Sequence, residues 1–129
     1  MPSTDQIHDA VERYAAACSA ADKAAIVSCF AADAVFVDPY PMPANIGHEA
    51  IGAFWDGVFA MGKPISFVPD NLAACGDRAA FNFSVVIAAP DGGRLGIDGI
   101  EVATVNDDGV FSELTAYWDP ANIRPLPAD

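Results

Sequence analysis

The sequence predicts an α+β domain in which helices come first and an antiparallel sheet follows. Apolar residues in the N-terminal part recur with the spacing of amphipathic helices. Later apolar residues alternate with polar ones and are interrupted by short turn signals, as in hairpin-linked strands. A length of 129 residues suits one domain. We therefore expect a single domain over residues 1–129, with a curved, mostly antiparallel sheet packed against three helices.

The first helix is indicated by a capping box, in which Ser3 precedes Gln6 by three residues. The apolar residues that follow, including Ile7, Val11 and Tyr14, share one helical face. Since that face must be buried, we expect the Tyr14 side chain to point into the core. An ordinary core tyrosine is the simpler interpretation of this residue taken alone.

Two further helices complete the N-terminal part. Asp22 is placed to cap a second helix, whose apolar face we extend to Phe30. A third helix is predicted from about residue 47 to residue 60, with a broad apolar stripe and Gly62 near its end. Such a stripe predicts that this helix lies across a sheet.

Five segments have the pattern of strands. The first, residues 33–38, runs into a proline-rich loop up to residue 46 that could rim a cavity. The others cover residues 65–72, 79–89, 95–105 and 110–118, with Gly, Asp and Asn in the intervening turns. The last four strands are therefore predicted to form an antiparallel meander.

Two aspartates interrupt apolar strand patterns. Alternation places Asp38 on the face of Phe36, and Asp98 on the face of Ile100 and Val102. We expect both carboxyls to point inward, where each must be hydrogen-bonded, protonated or part of a cavity. Two simpler interpretations stay open. Asp38 could cap the following loop, and a shifted register or a bulge at a neighbouring glycine could turn Asp98 outward.

Composition excludes several classes of function. The net charge of −12 opposes binding to nucleic acids and anionic membranes, and no apolar run is long enough to span a bilayer. The three cysteines lack metal-ligand spacing, and no phosphate-binding loop is present. Together with a polar N-terminus, these features predict a cytoplasmic protein without a metal or other cofactor.

Over nearly its full length the chain resembles the ketosteroid isomerases of the NTF2-like superfamily, which includes the SnoaL-like proteins. The matching segments are residues 11–14 (VERY), 30–34 (FAADA) with 37–39 (VDP), 47–51 (GHEAI) and 97–98 (ID). The resemblance implies a cone of curved antiparallel sheet and three helices around a deep apolar pocket. It also implies a homodimer that acts on a small steroid-like substrate.

The resemblance further implies that Asp38 is the catalytic base, with Tyr14 and Asp98 as the two oxyanion donors. Asp98 would have to be protonated, because only the neutral carboxyl can donate a hydrogen bond. Ketosteroid isomerases are an established example of two aspartates whose surroundings push their pKa values apart. Some members add further tyrosines beside the catalytic one, but the equivalent positions here carry Phe30 and Trp55. The extended hydroxyl network is therefore absent.

A fused-ring substrate needs flat apolar walls. The candidate wall residues are Phe54, Trp55, Phe81, Phe83, Val102, Leu114 and Trp118. Each of them is also a normal core residue, so plain packing stays open as an interpretation. Trp118 lies near the end of the last strand, where the family has its pocket mouth.

Three other functions compete with a Δ5-3-ketosteroid isomerase. A SnoaL-like cyclase could use Asp119 or Asp38 in an apolar pocket. A limonene-epoxide-hydrolase-like enzyme would need an arginine two residues before Asp98, where the chain has Gly96. A noncatalytic dimer that binds an apolar ligand is the third alternative, although such a module has no need for an inward carboxyl.

Overall fold

Three helices and one curled sheet make up most of the computed structural model, which describes residues 1–127. The helices are α1 (Thr4–Ser19), α2 (Lys23–Ser28) and α3 (Gly47–Met61). The strands are β1 (Phe30–Val37), β2 (Asn45–Ile46), β3 (Lys63–Cys75), β4 (Arg78–Ala88), β5 (Arg94–Val105), β6 (Phe111–Tyr117) and β7 (Ile123–Leu126). The element order up to β6 is the predicted one except for β2, which was expected to be part of the proline-rich loop.

The starts of α1 and α2 follow from local capping. Ser3 accepts a hydrogen bond from the Gln6 backbone N–H, and the Gln6 side chain accepts one from the Ser3 N–H. Asp22 caps α2 through the Ala25 N–H. The prediction that α2 reaches Phe30 is wrong, because the helix ends at Ser28 and Phe30 begins β1.

The sheet has the strand order β2-β1-β6-β5-β4-β3, with β7 paired to β5 beside this path. Neighbouring strands are antiparallel except β1 and β6, which are parallel. Register shifts in the β3–β4 pair, next to Pro64 and between Asp70 and Ala73, bend the long β3 strand. The bent sheet partly encloses the space that α1 and α3 cover.

Aromatic rings fill the closed end of that space. Tyr14 is only 1% exposed, and its ring makes edge-on contacts with Phe30, Phe67 and Phe111 at centroid distances of 5.5–5.7 Å. Edge-to-face pairs of this kind add to the gain from burial. The Tyr14 ring is thus held on several sides, which fixes its hydroxyl relative to the sheet.

The segment after β6 was not predicted. Asp119 caps a short 3₁₀ helix, Pro120–Asn122, by accepting a hydrogen bond from the Ala121 N–H. β7 then pairs with β5. Among residues 1–127, no helix is long and apolar enough to cross a membrane.

Candidate active site

A cavity of about 270 Å³ lies between α3 and the concave face of the sheet. Its lining is mostly apolar, and its polar members are Tyr14, Asp38, Glu101 and two indole rings, Trp55 and Trp118. A pocket of apolar walls with a few convergent polar groups is the usual form of a small-molecule site.

A larger groove of about 650 Å³ runs between α2 and α3, but it is shallow and open to solvent. Its charged side chains include Lys23 and Asp56, which form an exposed ion pair at 2.9 Å. None of the buried carboxyls lines it. We therefore place the site in the smaller, enclosed cavity, where the perturbed ionisable groups are found.

Asp38 follows directly on β1, and the inward face that carries the buried Phe36 also carries its carboxyl. The Trp118 Nε1 donates a hydrogen bond of 2.7 Å to Asp38 Oδ1. Burial raises the pKa of Asp38 to about 6, and the hydrogen bond from Trp118 limits the rise. Asp38 is therefore a carboxylate at neutral pH and a stronger base than an exposed aspartate.

Glu101 is the second carboxyl of the cavity. It projects from the middle of β5 and is 2% exposed, and its Oε1 has no hydrogen-bond partner among the described residues. Burial raises the pKa of Glu101 well above its ordinary value, and the nearby charge of Asp38 adds to the rise. Burial and the charge of Asp38 both favour the neutral form of Glu101, which can donate a hydrogen bond.

Asp98 does not belong to this site, so the expectation that it points inward is wrong. Its side chain is 46% exposed and pairs with Arg124, whose Nε lies 2.8 Å from Asp98 Oδ2. Ser84 Oγ donates a further hydrogen bond of 2.6 Å to Oδ1. These two partners lower the pKa of Asp98 to about 2. An ionised carboxylate on the outer face of the sheet cannot act as an oxyanion donor.

The prediction for Asp98 was wrong because it assigned the wrong face of β5 to the interior. Asp98, Ile100 and Val102 do share one face of β5, but that face is the outer one, and Ile100 is 47% exposed. The pairing of β4 with β5 runs without a bulge, so no register shift is involved. The alternate positions hold Glu101 and continue to the buried Val105. These alternate positions form the longer apolar series in β5, and that series was the sequence signal that Glu101 points inward.

Tyr14 reaches the cavity from α1. Its hydroxyl donates a hydrogen bond to Cys18, one helical turn later. Burial, followed by the nearby Cys18, Glu101 and Asp38, raises the pKa of Tyr14 well above its ordinary value. The hydroxyl therefore keeps its proton and can donate it in a hydrogen bond.

Four of the seven predicted wall residues line the cavity, namely Phe54, Trp55, Phe83 and Trp118. The other three do not. Phe81 and Leu114 are buried in the core, and Val102 lies on the outer face of β5. The alternation argument that misplaced Asp98 also misplaced Val102. Asp119, the residue suggested for a cyclase, caps the exposed 3₁₀ helix and does not line the cavity.

Two sequence comparisons bear on this chain. A family model for the SnoaL-like domain matches residues 11–114. A steroid Δ-isomerase from Nocardioides simplex is 32% identical over 123 residues, which cover 95% of this chain and 98% of that relative. Both matches include β1, α3 and β5, the elements that carry the cavity.

Solved structures with the same fold are more distant in sequence. SalBIII, an epoxide hydrolase/cyclase-like enzyme of pyran ring formation in the polyether salinomycin, is 20% identical with a TM-score of 0.88, covering 98% of this chain and all of its own. RV0760c of Mycobacterium tuberculosis is 18% identical with a TM-score of 0.84 and the same coverage. A complex of RV0760c with estradiol-17β-hemisuccinate matches with a TM-score of 0.81 at 20% identity, over 92% of this chain and 98% of that one. These matches confirm the NTF2-like fold.

Proposed function

Because this chain belongs to the SnoaL-like family and is a relative of the steroid Δ-isomerases, we propose that it is a Δ5-3-ketosteroid isomerase. The reaction moves a carbon–carbon double bond from β,γ into α,β conjugation with a ketone. The observation that carries the proposal is a pair of carboxyls in one apolar cavity, Asp38 with a pKa of about 6 and Glu101, whose burial raises its pKa and favours its neutral form. Carboxyls held in different protonation states mark a base and a donor.

Asp38 is the base in this proposal. Its carboxylate removes the proton from the carbon between the carbonyl and the double bond, which leaves a dienolate. The neutral Asp38 then returns the same proton two carbons farther along the dienolate, so the carboxylate is regenerated. A pKa of about 6 suits this task, since the group is mostly ionised at neutral pH yet still basic.

Tyr14 and Glu101 are the donors to the dienolate oxygen. Both line the cavity and both are neutral because they are buried. Donors fixed where negative charge develops lower the barrier most effectively in a site of low dielectric constant. Glu101 takes the role that the sequence resemblance assigned to Asp98.

The proposal is tested by mixing purified protein with 5-androstene-3,17-dione and following the ultraviolet absorbance of the conjugated enone. We expect the wild type to produce this absorbance without added cofactor. Asp38→Asn should nearly abolish it, because the amide is close to isosteric but is not a base. Asp33→Asn, an exposed position on β1, is the matched control and should retain full activity.

The absence of turnover by the wild type would contradict the isomerase proposal. Binding of the steroid phenol equilenin by the same preparation would then favour a noncatalytic ligand-binding protein or a cyclase. Loss of activity in Asp33→Asn as well would indicate a general effect of altered β1 and not a base at position 38.

Ring closure or ring opening of a cyclic ether is the second candidate function. It is favoured by the same two carboxyls, because a neutral Glu101 could protonate a leaving oxygen while Asp38 accepts a proton from the nucleophile. No arginine lines the cavity as far as residues 1–127 show, so the arginine-dependent epoxide hydrolase mechanism is not supported.

Glu101→Gln separates the two functions. The amide can donate a hydrogen bond but cannot give up a proton as an acid. We expect an isomerase to keep part of its activity in this variant, whereas a cyclase that uses Glu101 as general acid should lose its activity.

We also propose that the protein is a homodimer. The support is the family resemblance together with exposed apolar side chains on the outer sheet face, namely Val68, Ile100 and Tyr117. Ile100 and Tyr117 are paired across β5 and β6, and Val68 lies on the same sheet face in β3, two strands from β5. Cytoplasmic location and independence of cofactors remain predictions from the sequence.

A further inference from the structure

The indole N–H of Trp55 is a buried donor that has no hydrogen-bond acceptor within the described part of the chain. Trp55 projects from α3 into the wall of the cavity and is only 6% exposed. Its Nε1 has no hydrogen-bond partner among the described residues. A buried polar group that is left unsatisfied costs free energy, so native structures rarely keep one without a reason.

The other indole of the cavity, that of Trp118, does have a hydrogen-bond acceptor. Trp118 Nε1 donates to Asp38 at 2.7 Å. The rings packed around Trp55 are those of Phe36, Phe54 and Phe59, at centroid distances of 6.5, 5.6 and 5.9 Å. None of these rings carries a hydrogen-bond acceptor oxygen or nitrogen. The Trp55 N–H is thus a donor without an acceptor on these rings, in a side chain that lines the cavity.

Two other polar groups line the same cavity. The Tyr14 ring meets the Trp55 ring edge-on at a centroid distance of 6.5 Å. Glu101 also lines the cavity, and its Oε1 is likewise without a partner among the described residues. A hydroxyl, a neutral carboxyl and an indole N–H all supply donors. Their common complement is an oxygen with several lone pairs.

We propose that Trp55 Nε1 is a third hydrogen-bond donor to the buried oxygen of the ligand, beside Tyr14 and Glu101. The inference rests on the proposed function, because it takes the ligand to be a polycyclic apolar molecule that enters with an oxygen at its inner end. A Δ5-3-ketosteroid offers such an oxygen in its 3-carbonyl group. The proposal assigns Trp55 to recognition of that oxygen and not only to the cavity wall.

The test compares two ligands on one variant. Equilenin carries a phenolic oxygen at the 3-position, and 3-deoxyequilenin has the same ring skeleton without it. Dissociation constants of both are measured by calorimetry for the wild type and for Trp55→Phe. We expect Trp55→Phe to weaken equilenin about tenfold more than 3-deoxyequilenin, since only equilenin loses a hydrogen bond.

The control variant is Phe54→Leu, which trims a neighbouring wall residue that has no polar atom. It should weaken both ligands equally. Equal losses for both ligands in Trp55→Phe would overturn the proposal, because they indicate a wall contact alone. Failure of the wild type to bind equilenin would overturn it too.

A second variant covers the case in which Trp55→Phe does not fold. Replacement of Trp55 by 3-benzothienylalanine keeps the bicyclic ring and exchanges the N–H for sulfur. The same preferential loss for equilenin is expected, and its absence would refute the proposal. Because these titrations measure binding, a protein that binds equilenin but has no isomerase activity would overturn the proposed function and leave this inference standing.

Discussion

At the scale of single residues, the hydrogen bond from Trp118 to Asp38 decides how basic the site is. Burial alone would hold the Asp38 carboxyl in its neutral form over a wider pH range. The indole N–H, at 2.7 Å, stabilises the carboxylate and brings its pKa to about 6. Trp118 therefore sets the pH above which the base is available.

Removing this donor should shift the pH dependence of turnover. For the wild type, kcat/KM is expected to rise with pH and to level off above about 6, where Asp38 is ionised. In Trp118→Phe the carboxylate loses a stabilising partner, so the pKa of Asp38 rises. A hydrogen bond to a charged group is worth about 1.5–3 kcal/mol, which corresponds to a midpoint roughly 1–2 pH units higher.

The measurement is a pH series of kcat/KM for the two proteins. Trp55→Phe is the comparison variant, because its indole has no hydrogen bond to Asp38 in the structure. An unchanged midpoint in Trp118→Phe would show that the observed limb belongs to a group other than Asp38.

At the scale of elements, β5 explains both what the sequence could predict and what it could not. The strand itself was predicted at residues 95–105 and is found at Arg94–Val105. Its inner and outer faces were exchanged, because both faces carry aliphatic residues and the glycines at 96 and 99 favour neither. Alternation identifies which side chains share a face, but only the packing of β5 against the rest of the molecule decides which face is buried.

Helix starts were easier to predict than strand faces. Ser3 and Asp22 cap α1 and α2 through bonds to residues only three positions away, so the sequence contains the whole signal. No comparable local sequence signal predicted β7. Its pairing with β5 joins residues far apart in the chain, and most of its side chains are exposed.

The buried Glu101 on the inner face of β5 has an energetic cost, which predicts a change of stability. Glu101 keeps a carboxyl oxygen buried without a partner among the described residues. Leucine has a similar volume and no polar atom, so Glu101→Leu should raise the free energy of unfolding by about 1–3 kcal/mol. Denaturant unfolding at neutral pH measures this change.

Asp98→Leu is the matched control on the outer face of the same strand. It removes a half-exposed ion pair with Arg124, so it should leave the free energy of unfolding nearly unchanged. A loss of stability in Glu101→Leu would mean that the carboxyl has a structural partner and is not held at a cost.

At the scale of the whole molecule, the two faces of the sheet have separate tasks. The concave face encloses the cavity with Asp38 and Glu101. The outer face carries the Asp98–Arg124 pair and the exposed apolar surface at Ile100 and Tyr117. Apolar surface on an outer sheet face is typical of a protein–protein interface.

A substitution on the outer sheet face tests the proposed homodimer. Ile100→Arg should disrupt a self-complementary interface, because two-fold symmetry would bring the new charge in twice. Sedimentation velocity should find a dimer for the wild type and a monomer for the variant. Met61→Arg, at an exposed position on α3, should leave the dimer intact. A monomeric wild type would refute the homodimer.

The central claim is that Glu101, and not Asp98, is the neutral carboxyl that stabilises the dienolate. The most direct measurement is the rate of enone formation from 5-androstene-3,17-dione by Glu101→Leu and Asp98→Leu, side by side. We expect Glu101→Leu to lower kcat by about 10²–10³-fold, as for loss of one oxyanion donor, and Asp98→Leu to remain within a few-fold of wild type. Normal turnover in Glu101→Leu together with a large loss in Asp98→Leu would contradict the account.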